Sequence, residues 1–343
     1  MRFPRPLQVS RRTVQFLVLA LTVAVPVLAR YANYLSARQL DKVAERFEGS
    51  VQGHALAATD RALLLATGIE RDTSELRHAD REEVLLAARQ VRGSTWSLEL
   101  FGLTLTDPLA ALESCFASRT LRWVMLAGIL IPVLGTVLLG RVFCSWICPA
   151  GTLFELGSGL RRCLRFLELK PGRVRLWYGN KYLILGAGLA LSLAVGLPVL
   201  GYLYPPALIG REAHNGITVM FDRAEEGLLG FSAAGLTLAS WFLLAILMME
   251  LAFGARIWCR SLCPGGAVYT ALGALRLVRV RRAPDQCTKC GECVVACEMG
   301  LSPMTDRFGS ECDNCGKCVA RCGDDALGFH LPRLRREREE VAP

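Results

Sequence analysis

Four stretches of the chain carry no charged residue and are dominated by aliphatic and aromatic side chains: Thr13 to Ala29, Trp123 to Gly140, Tyr182 to Gly210 and Gly227 to Met249. A helix rises about 1.5 Å per residue, so the last run alone would reach ~35 Å, enough to cross the hydrocarbon layer of a bilayer. The third run is too long for a single crossing. Pro198 and the Pro205-Pro206 pair predict that it spans to about Leu200 and then breaks. The pattern thus predicts a mostly α membrane protein with four transmembrane helices, the later three at about 123–140, 182–200 and 227–249.

Polar residues between the runs set an orientation. Arg2, Arg5, Arg11 and Arg12 precede the first run, and the connection from Arg141 to Lys181 holds eight Lys/Arg against Glu155 and Glu168. The connection from Arg211 to Glu226 holds two Arg against four acids. The positive-inside bias therefore puts both termini and the middle connection in the cytoplasm. Residues 1–30 read as a cytoplasmic N terminus and a first transmembrane helix that is retained, since no small-x-small cleavage site follows near Ala29. Residues 31–122 read as an extracytoplasmic, mostly helical segment. Val43, Phe47 and Val51 recur at i, i+4, and Asp80 with Glu83 resembles a capping box ahead of Val84-Leu85-Leu86. Its mixed charges suit either a solvated helical cap or a docking surface for a periplasmic partner.

Composition agrees and adds chemistry. The 343 residues are 52% hydrophobic and 21% charged with a net charge of +9, which excludes a disordered chain and fits a single soluble domain poorly. Of the 14 cysteines, eight fall in the pattern Cys287-x-x-Cys290-x-x-Cys293-x-x-x-Cys297, repeated 25 residues later as Cys312-x-x-Cys315-x-x-Cys318-x-x-x-Cys322. CxxCxxC wraps a tight loop that brings three thiolates to three corners of a cubane, while the fourth cysteine crosses to the other cluster. That assigns Cys287, Cys290, Cys293 and Cys322 to one [4Fe-4S] cluster and Cys312, Cys315, Cys318 and Cys297 to a second, in a ferredoxin-like domain over 281–330 followed by a tail over 331–343. Gly291 and Gly316 hold matching places in the two loops, where backbone must come close to sulfide. Zinc is the competing reading, because CxxC pairs also build zinc ribbons, but the regular third cysteine and trailing fourth favour iron and sulfur. Disulfides do not suit a reducing cytoplasm. The proline that usually follows the fourth cysteine is Glu298 in one copy and Gly323 in the other.

A second cysteine pattern is also duplicated. Arg141-Val-Phe-Cys144-Ser-Trp-Ile-Cys148-Pro149-Ala-Gly151 aligns without gaps, at an offset of 115 residues, to Arg256-Ile-Trp-Cys259-Arg-Ser-Leu-Cys263-Pro264-Gly-Gly266. Each copy directly follows an apolar run, so the membrane body over 123–280 contains two span-plus-CxxxCP units. Helical cysteines at i and i+4 share a face, and the proline is expected to stop the helix just after the second thiol. Cys144, Cys148, Cys259 and Cys263 then gather at the cytoplasmic membrane edge as candidate redox or quinone-proximal thiols. Spacing leaves three roles open for them: ligating a further metal centre, cycling as dithiols, or shaping a quinone pocket. Ordinary buried packing is the bland alternative.

Together these residues resemble the NapH/MauN-type membrane ferredoxins, which include the membrane quinol dehydrogenase component of periplasmic nitrate reductase systems and the ferredoxin-type protein of methylamine utilisation. The resemblance covers Arg11-Arg12-Thr-Val-Gln-Phe and then about residue 96 to residue 330, including Leu105-Thr106-Asp107-Pro108-Leu109 and Ser302-Pro303-Met304. It implies a protein of the bacterial inner membrane that takes electrons from membrane quinol and passes them toward a periplasmic ferredoxin, cytochrome or metalloenzyme. The methylamine-utilisation relatives imply an alternative, a maturation factor supplying electrons while a periplasmic cofactor is assembled. A membrane redox sensor ranks last, because no output domain follows the clusters.

The residues reach part of this independently, because clusters tethered to apolar spans have the quinone pool as their lipid-soluble redox partner. Tyr202, Tyr204, Glu212 and His214 are expected near the outer face, as interfacial anchors and solvated loop groups rather than ligands. Glu250 is expected to be hydrated at the inner end of the fourth span. His54 and His78 show no metal-ligand spacing, and Cys115 and Cys163 read as structural or incidental. No CxxCH, P-loop or GxGxxG motif occurs, nor a flavinylation signature like that of the related regulators of nitrous oxide reduction. Haem, nucleotide, covalent flavin and nucleic-acid partners are therefore not expected.

Overall fold

The computed structural model describes residues 6–69, 78–120, 123–166, 176–222 and 237–331. The expectations for 227–236 and for the tail beyond 331 lie outside the described residues.

Helix α1 (Pro6–Ser36) covers the first apolar run and extends past it. Its C-terminal end packs with α2 (Leu40–Arg46), α3 (Val51–Thr67) and α4 (His78–Arg89) around Tyr31, Leu35, Phe47, Leu56, Leu63 and Val84. Phe47 is buried as its periodicity predicts, but Val51 is exposed. The chain turns between them, and Ser50 accepts the Gly53 N–H at 3.2 Å to cap a new helix, so Val51 starts α3 and does not continue the stripe. Asp80 is likewise no N-cap: α4 is already helical at His78, and Asp80 lies in its first turn.

The region after α4 departs from the helical expectation. Strands β1 (Val91–Gly93), β2 (Ser97–Leu100) and β3 (Leu103–Thr106) form an antiparallel sheet in that order, with Val91 opposite Leu100 and Ser97 opposite Thr106. The signal is the alternation Ser-Leu-Glu-Leu and Leu-Thr-Leu-Thr across Phe101-Gly102, whose φ angles of 50° and 80° make a tight hairpin turn. Asp107 then caps α5 (Pro108–Ser118), accepting from Leu109 N–H at 2.8 Å with Pro108 in the first helical position.

Sheet and helix belong to the apolar body and not to an outer cap. Strand β3 lies along α6 (Trp123–Leu139) at Gly128, where a Cβ would sit 2.8 Å from the Thr106 hydroxyl. The first CxxxCP copy follows as a π-helical turn (Phe143–Ile147) and α7 (Pro149–Phe166). Next comes α8 (Asn180–Val195), which ends at Gly196 in the left-handed region (φ 73°), short of the expected Leu200. Buried Glu113 of α5 accepts from Ser192 Oγ and from the Leu200 N–H, tying α5 to the end of α8. Helix α9 (Pro205–Asp222) precedes α10 (Leu238–Phe253), whose N terminus carries a Thr237/Ser240 capping box. The second CxxxCP copy forms α11 (Ile257–Ser261) and α12 (Pro264–Leu272). Leu109, Phe154, Leu200, Tyr204, Leu208, Ile246 and Trp258 form the core of this body.

Among the described residues one helix, α1, is long and apolar enough to cross a bilayer; the apolar parts of α6, α8 and α10 are shorter. Beyond the body, β4 (Arg279–Arg282) and β5 (Leu327–His330) pair antiparallel and bracket α13 (Glu292–Ala296) and α14 (Lys317–Arg321). The described residues are mostly helical, and a small unit that carries the eight-cysteine repeats lies at their C-terminal end.

Candidate redox centre

The eight cysteines of the C-terminal repeats surround two cavities. One is lined by Cys287, Cys290, Cys293 and Cys322, with Arg282 and Lys289 beside them. The other is lined by Cys297, Cys312, Cys315 and Cys318, with Asn314 and Lys317. The trailing cysteine of each repeat thus lies in the other repeat's cavity. Helices α13 and α14 each start from a left-handed glycine, Gly291 (φ 81°) and Gly316 (φ 68°), directly after the second cysteine of the motif. Among the described residues no three His, Cys, Asp or Glu side chains are close enough to hold a single metal ion. Two sets of four thiols, each spread around a void, fit a cubane with a thiolate at every corner better than one zinc ion.

The cavity of Cys297, Cys312, Cys315 and Cys318 faces the apolar body. Asn314 Nδ2 donates to the carbonyls of Leu139 (2.7 Å) and Val278 (2.9 Å), Ser145 Oγ to that of Asp313 (2.7 Å), and Gln8 Nε2 to that of Cys315 (3.0 Å). Gly140 (φ 80°) permits the approach: a Cβ there would lie 2.6 Å from Arg276 Cδ and 3.1 Å from Asn314 Nδ2.

Charge pairs reinforce the contact. Glu311 accepts from Arg141 (2.7 Å) and Lys181 (2.6 Å), and Arg256 Nε lies 3.1 Å from Glu298. Glu155 of α7 receives Arg11 (2.6 Å), Arg256 (2.9 Å), Lys317 (3.2 Å) and Arg12. Burial pushes its carboxyl up, but Lys317, Arg256, Arg11 and Arg12 outweigh that and hold it at about 2.

The two CxxxCP copies share one backbone device. Cys148 N–H bonds the Phe143 carbonyl and Cys263 N–H bonds that of Trp258, both at 2.8 Å and both five residues back. Each second cysteine is extended (ψ 118°): the helical turn ends at Ile147 in the first copy and at Ser261 in the second, before the second thiol, and the proline opens the next helix. This corrects the expectation of a helix that runs through both thiols. The copies also interlock: Arg141 packs against Gly266 of the second copy and Arg256 against Gly151 of the first.

Cys148, Cys259 and Cys263 are buried and Cys144 is half-buried. Cys148 and Cys263 each feel the charge of Cys144, Cys259 feels that of Cys148 and Cys263, and burial pushes all four thiols up, Cys263 to about 12. Thiols raised by burial in this way are poor partners for thiol exchange.

Other expected positions change. Tyr204 is no interfacial anchor: it is buried and donates to Asp107 Oδ2 at 2.7 Å, as Tyr269 of α12 does at 2.9 Å. Glu250 is not hydrated; it is buried and accepts the Trp258 N–H at 2.7 Å, capping the second motif. Glu212 accepts from Thr237 and Ser240 at the start of α10, Tyr202 stacks under Arg211, and His214 Nε2 lies 3.0 Å from the Gly93 carbonyl. Cys115 is half-buried and Cys163 exposed. Sequence reasoning assigned no role to Asp107, Tyr269, Glu155 or Glu311. An Asp-Pro pair opening an apolar helix was the only signal for Asp107, and nothing local marks the other three.

The chain matches the family model described as a 4Fe-4S binding domain over residues 121–166 and 234–282, the segments that hold the CxxxCP motifs. It is 34% identical over 206 residues to the methylamine utilization ferredoxin-type protein MauN of Methylobacillus flagellatus, a stretch covering 59% of this chain and 64% of that protein. It is 33% identical over 205 residues to the ferredoxin-type protein NapH of Haemophilus influenzae, covering 59% and 63%. It is 31% identical over 215 residues to the regulatory protein NosR of Pseudomonas aeruginosa, covering 60% of this chain and 24% of that one. The match thus spans slightly less than two thirds of the first two relatives. No solved structure matches.

Proposed function

From the chain's place among the NapH/MauN ferredoxin-type proteins, we propose that it is a membrane-bound electron-transfer protein that oxidises quinol and relays the electrons toward a periplasmic redox partner. The observation that carries this reading is the seating of the Cys297/Cys312/Cys315/Cys318 cavity directly on the first CxxxCP motif, through Ser145 and Asp313. Cys287, Cys290, Cys293 and Cys322 would hold one [4Fe-4S] cluster, and Cys297, Cys312, Cys315 and Cys318 the other. Such a cluster supplies one-electron exchange through its thiolate-bound iron. The chain's own part is positional: Arg141, Lys181 and Arg256 fix Glu311 and Glu298, and with them the inner cysteine cavity, against the four-thiol group.

Membrane embedding through four spans is supported by a belt of exposed apolar side chains, including Phe16, Leu17, Leu130, Ile131, Leu183, Leu191, Trp241 and Met248 on α1, α6, α8 and α10. A cytoplasmic ferredoxin-type domain in an inner membrane is supported by the basic residues gathered beside it, Arg11, Arg12, Arg141 and Lys181.

A further metal centre on Cys144, Cys148, Cys259 and Cys263 is a second reading, and their spacing limits it to a cluster of more than one ion. It is favoured by the family-model match to a 4Fe-4S binding domain falling on the two segments that carry these thiols. The test of the main reading is to add quinol to membranes containing the protein and follow the iron–sulfur signal by electron paramagnetic resonance. Quinol should reduce it; clusters that stay oxidised with every physiological quinol would sink the proposal.

A further inference from the structure

A cavity of about 360 Å³ opens among α1, α6, α9 and the small sheet, and its walls are largely apolar, with Val25, Trp96 and Ile131 among them. It reaches both CxxxCP copies, since Phe143 of the first and Tyr269 just after the second line it. Those two rings are stacked, with centroids 4.7 Å apart and planes at 12°. Among the polar groups at the cavity is the carboxylate of Asp107, buried and held by the Leu109 N–H on one oxygen and by the Tyr204 and Tyr269 hydroxyls on the other. A carboxylate in such surroundings is costly to keep charged, and burial pushes its proton affinity up. A mostly apolar cavity with a few convergent polar groups suits a small lipid-soluble ring compound.

We propose that this cavity binds the hydroquinone headgroup, with Asp107 as the catalytic residue that accepts a substrate proton. This rests on the quinol-oxidation reading and adds its site. The hydroquinone loses two electrons and two protons and becomes quinone. The two electrons would pass Phe143 and the adjoining thiols to the two [4Fe-4S] clusters that the eight C-terminal cysteines would hold, one electron to each. One proton bonds to the Asp107 carboxylate and the other goes to water. Tyr204 and Tyr269 position the carboxylate.

The experiment uses the full chain in detergent, labelled with a photoreactive short-chain benzoquinone whose attachment is mapped by mass spectrometry. Its reduction by quinol is followed in parallel, with dithionite as a check that the clusters are present. Label is expected on peptides containing Trp96 or residues 131–143. Gly135 lines the cavity with open space around its Cβ position, so Gly135→Phe fills the cavity without a backbone clash. That variant should lose the label and slow reduction by quinol at least tenfold, leaving reduction by dithionite intact. Asp107→Asn, which keeps a helix-capping side chain, should keep the label but slow reduction by quinol about 100-fold, the usual scale for losing a general base. Wild-type clusters reduced by quinol together with undiminished label and rate in Gly135→Phe would overturn the site and leave the function standing. Label displaced by added phospholipid would make the cavity a lipid site and also overturn it. Clusters unreduced by any quinol in wild type would overturn the underlying reading itself.

Discussion

Arg256 of the second CxxxCP copy donates from Nη2 to Oε1 of Glu155, 2.9 Å away on the helix that follows the first copy. Both side chains are buried, at 1% and 3% exposure, and the same carboxylate also meets Arg11 of α1 and Lys317 of the ferredoxin-type domain. One acid therefore joins the N-terminal helix, both motif copies and the C-terminal domain.

Glu155→Gln should be strongly destabilising. It leaves Arg11 buried without its counter-charge and strips Arg256 of one of its acids, leaving it Glu298 and Asp313, and breaking a buried pair in this way costs about 3–5 kcal/mol. The measurement is the thermal midpoint of the purified protein in detergent, wild type against variant. The pH dependence has a definite sign. A carboxyl held down at about 2 in the folded protein contributes stability that is fully present above its unfolded value, about 4.3, and is lost as pH falls through about 2. The gap between wild type and Glu155→Gln should stay constant from pH 8 to pH 5; a gap already closing in that range would contradict the ion-pair account.

The crossing of the trailing cysteines predicts an unusual pairing of phenotypes. Cys322→Ala should resemble Cys287→Ala, and Cys297→Ala should resemble Cys315→Ala, although each pair is split between the two repeats. Each variant should lose about half of an iron content of roughly eight per chain. The survivor should differ between the pairs in its paramagnetic resonance spectrum, because the Cys290 side is exposed and the Cys312 side is docked on the body. Spectra that pair Cys297→Ala with Cys287→Ala would show that the repeats do not exchange ligands.

Much of this was legible in the chain, and what was not has physical causes. Cysteine spacing is local, so the eight-thiol pattern and the two CxxxCP copies could be read directly, as could α6, whose apolar run ends where its helix does. The sheet at 91–106 was missed because its strands of three or four residues are too short to stand out within a segment whose other periodicities are helical. Tyr204 and Glu250 were misplaced because both satisfy long-range partners, Asp107 and the Trp258 N–H, that no window of sequence contains. Asp107 shows the limit most clearly. Its capping role is written in Asp-Pro-Leu, whereas its bonds to Tyr204 and Tyr269 span 97 and 162 residues.

The four CxxxCP thiols give a discriminating iron count. With Cys144→Ala, the iron held by the eight C-terminal cysteines should be unchanged while reduction by quinol slows, because the substitution touches the contact between body and cluster cavity without removing a ligand of either cluster. Iron per chain that falls in Cys144→Ala and by the same amount in Cys259→Ala would instead assign a further centre to these thiols. The two substitutions lie in different copies, so a shared loss could not come from damage local to one of them.

Glu311→Gln tests whether docking of the ferredoxin-type domain is itself needed for electron entry. Glu311 is the shared partner of Arg141 and Lys181, both fully buried, and Lys181 is further held by Thr270 at 2.8 Å. Removing the charge leaves two cations facing each other without a counter-ion, which should push the domain off the body while leaving all eight cysteines in place. Iron content should stay at the wild-type level, proteolysis between 276 and 284 should accelerate, and reduction by quinol should slow at least tenfold, with dithionite reduction unaffected. A second variant separates charge from packing: Asn314→Leu removes the two backbone bonds to Leu139 and Val278 but keeps every ion pair. If reduction slows in both, docking is what matters. If it slows in Glu311→Gln alone, without faster proteolysis, the carboxylate acts on the electrostatics of the electron path and not on the seating of the domain.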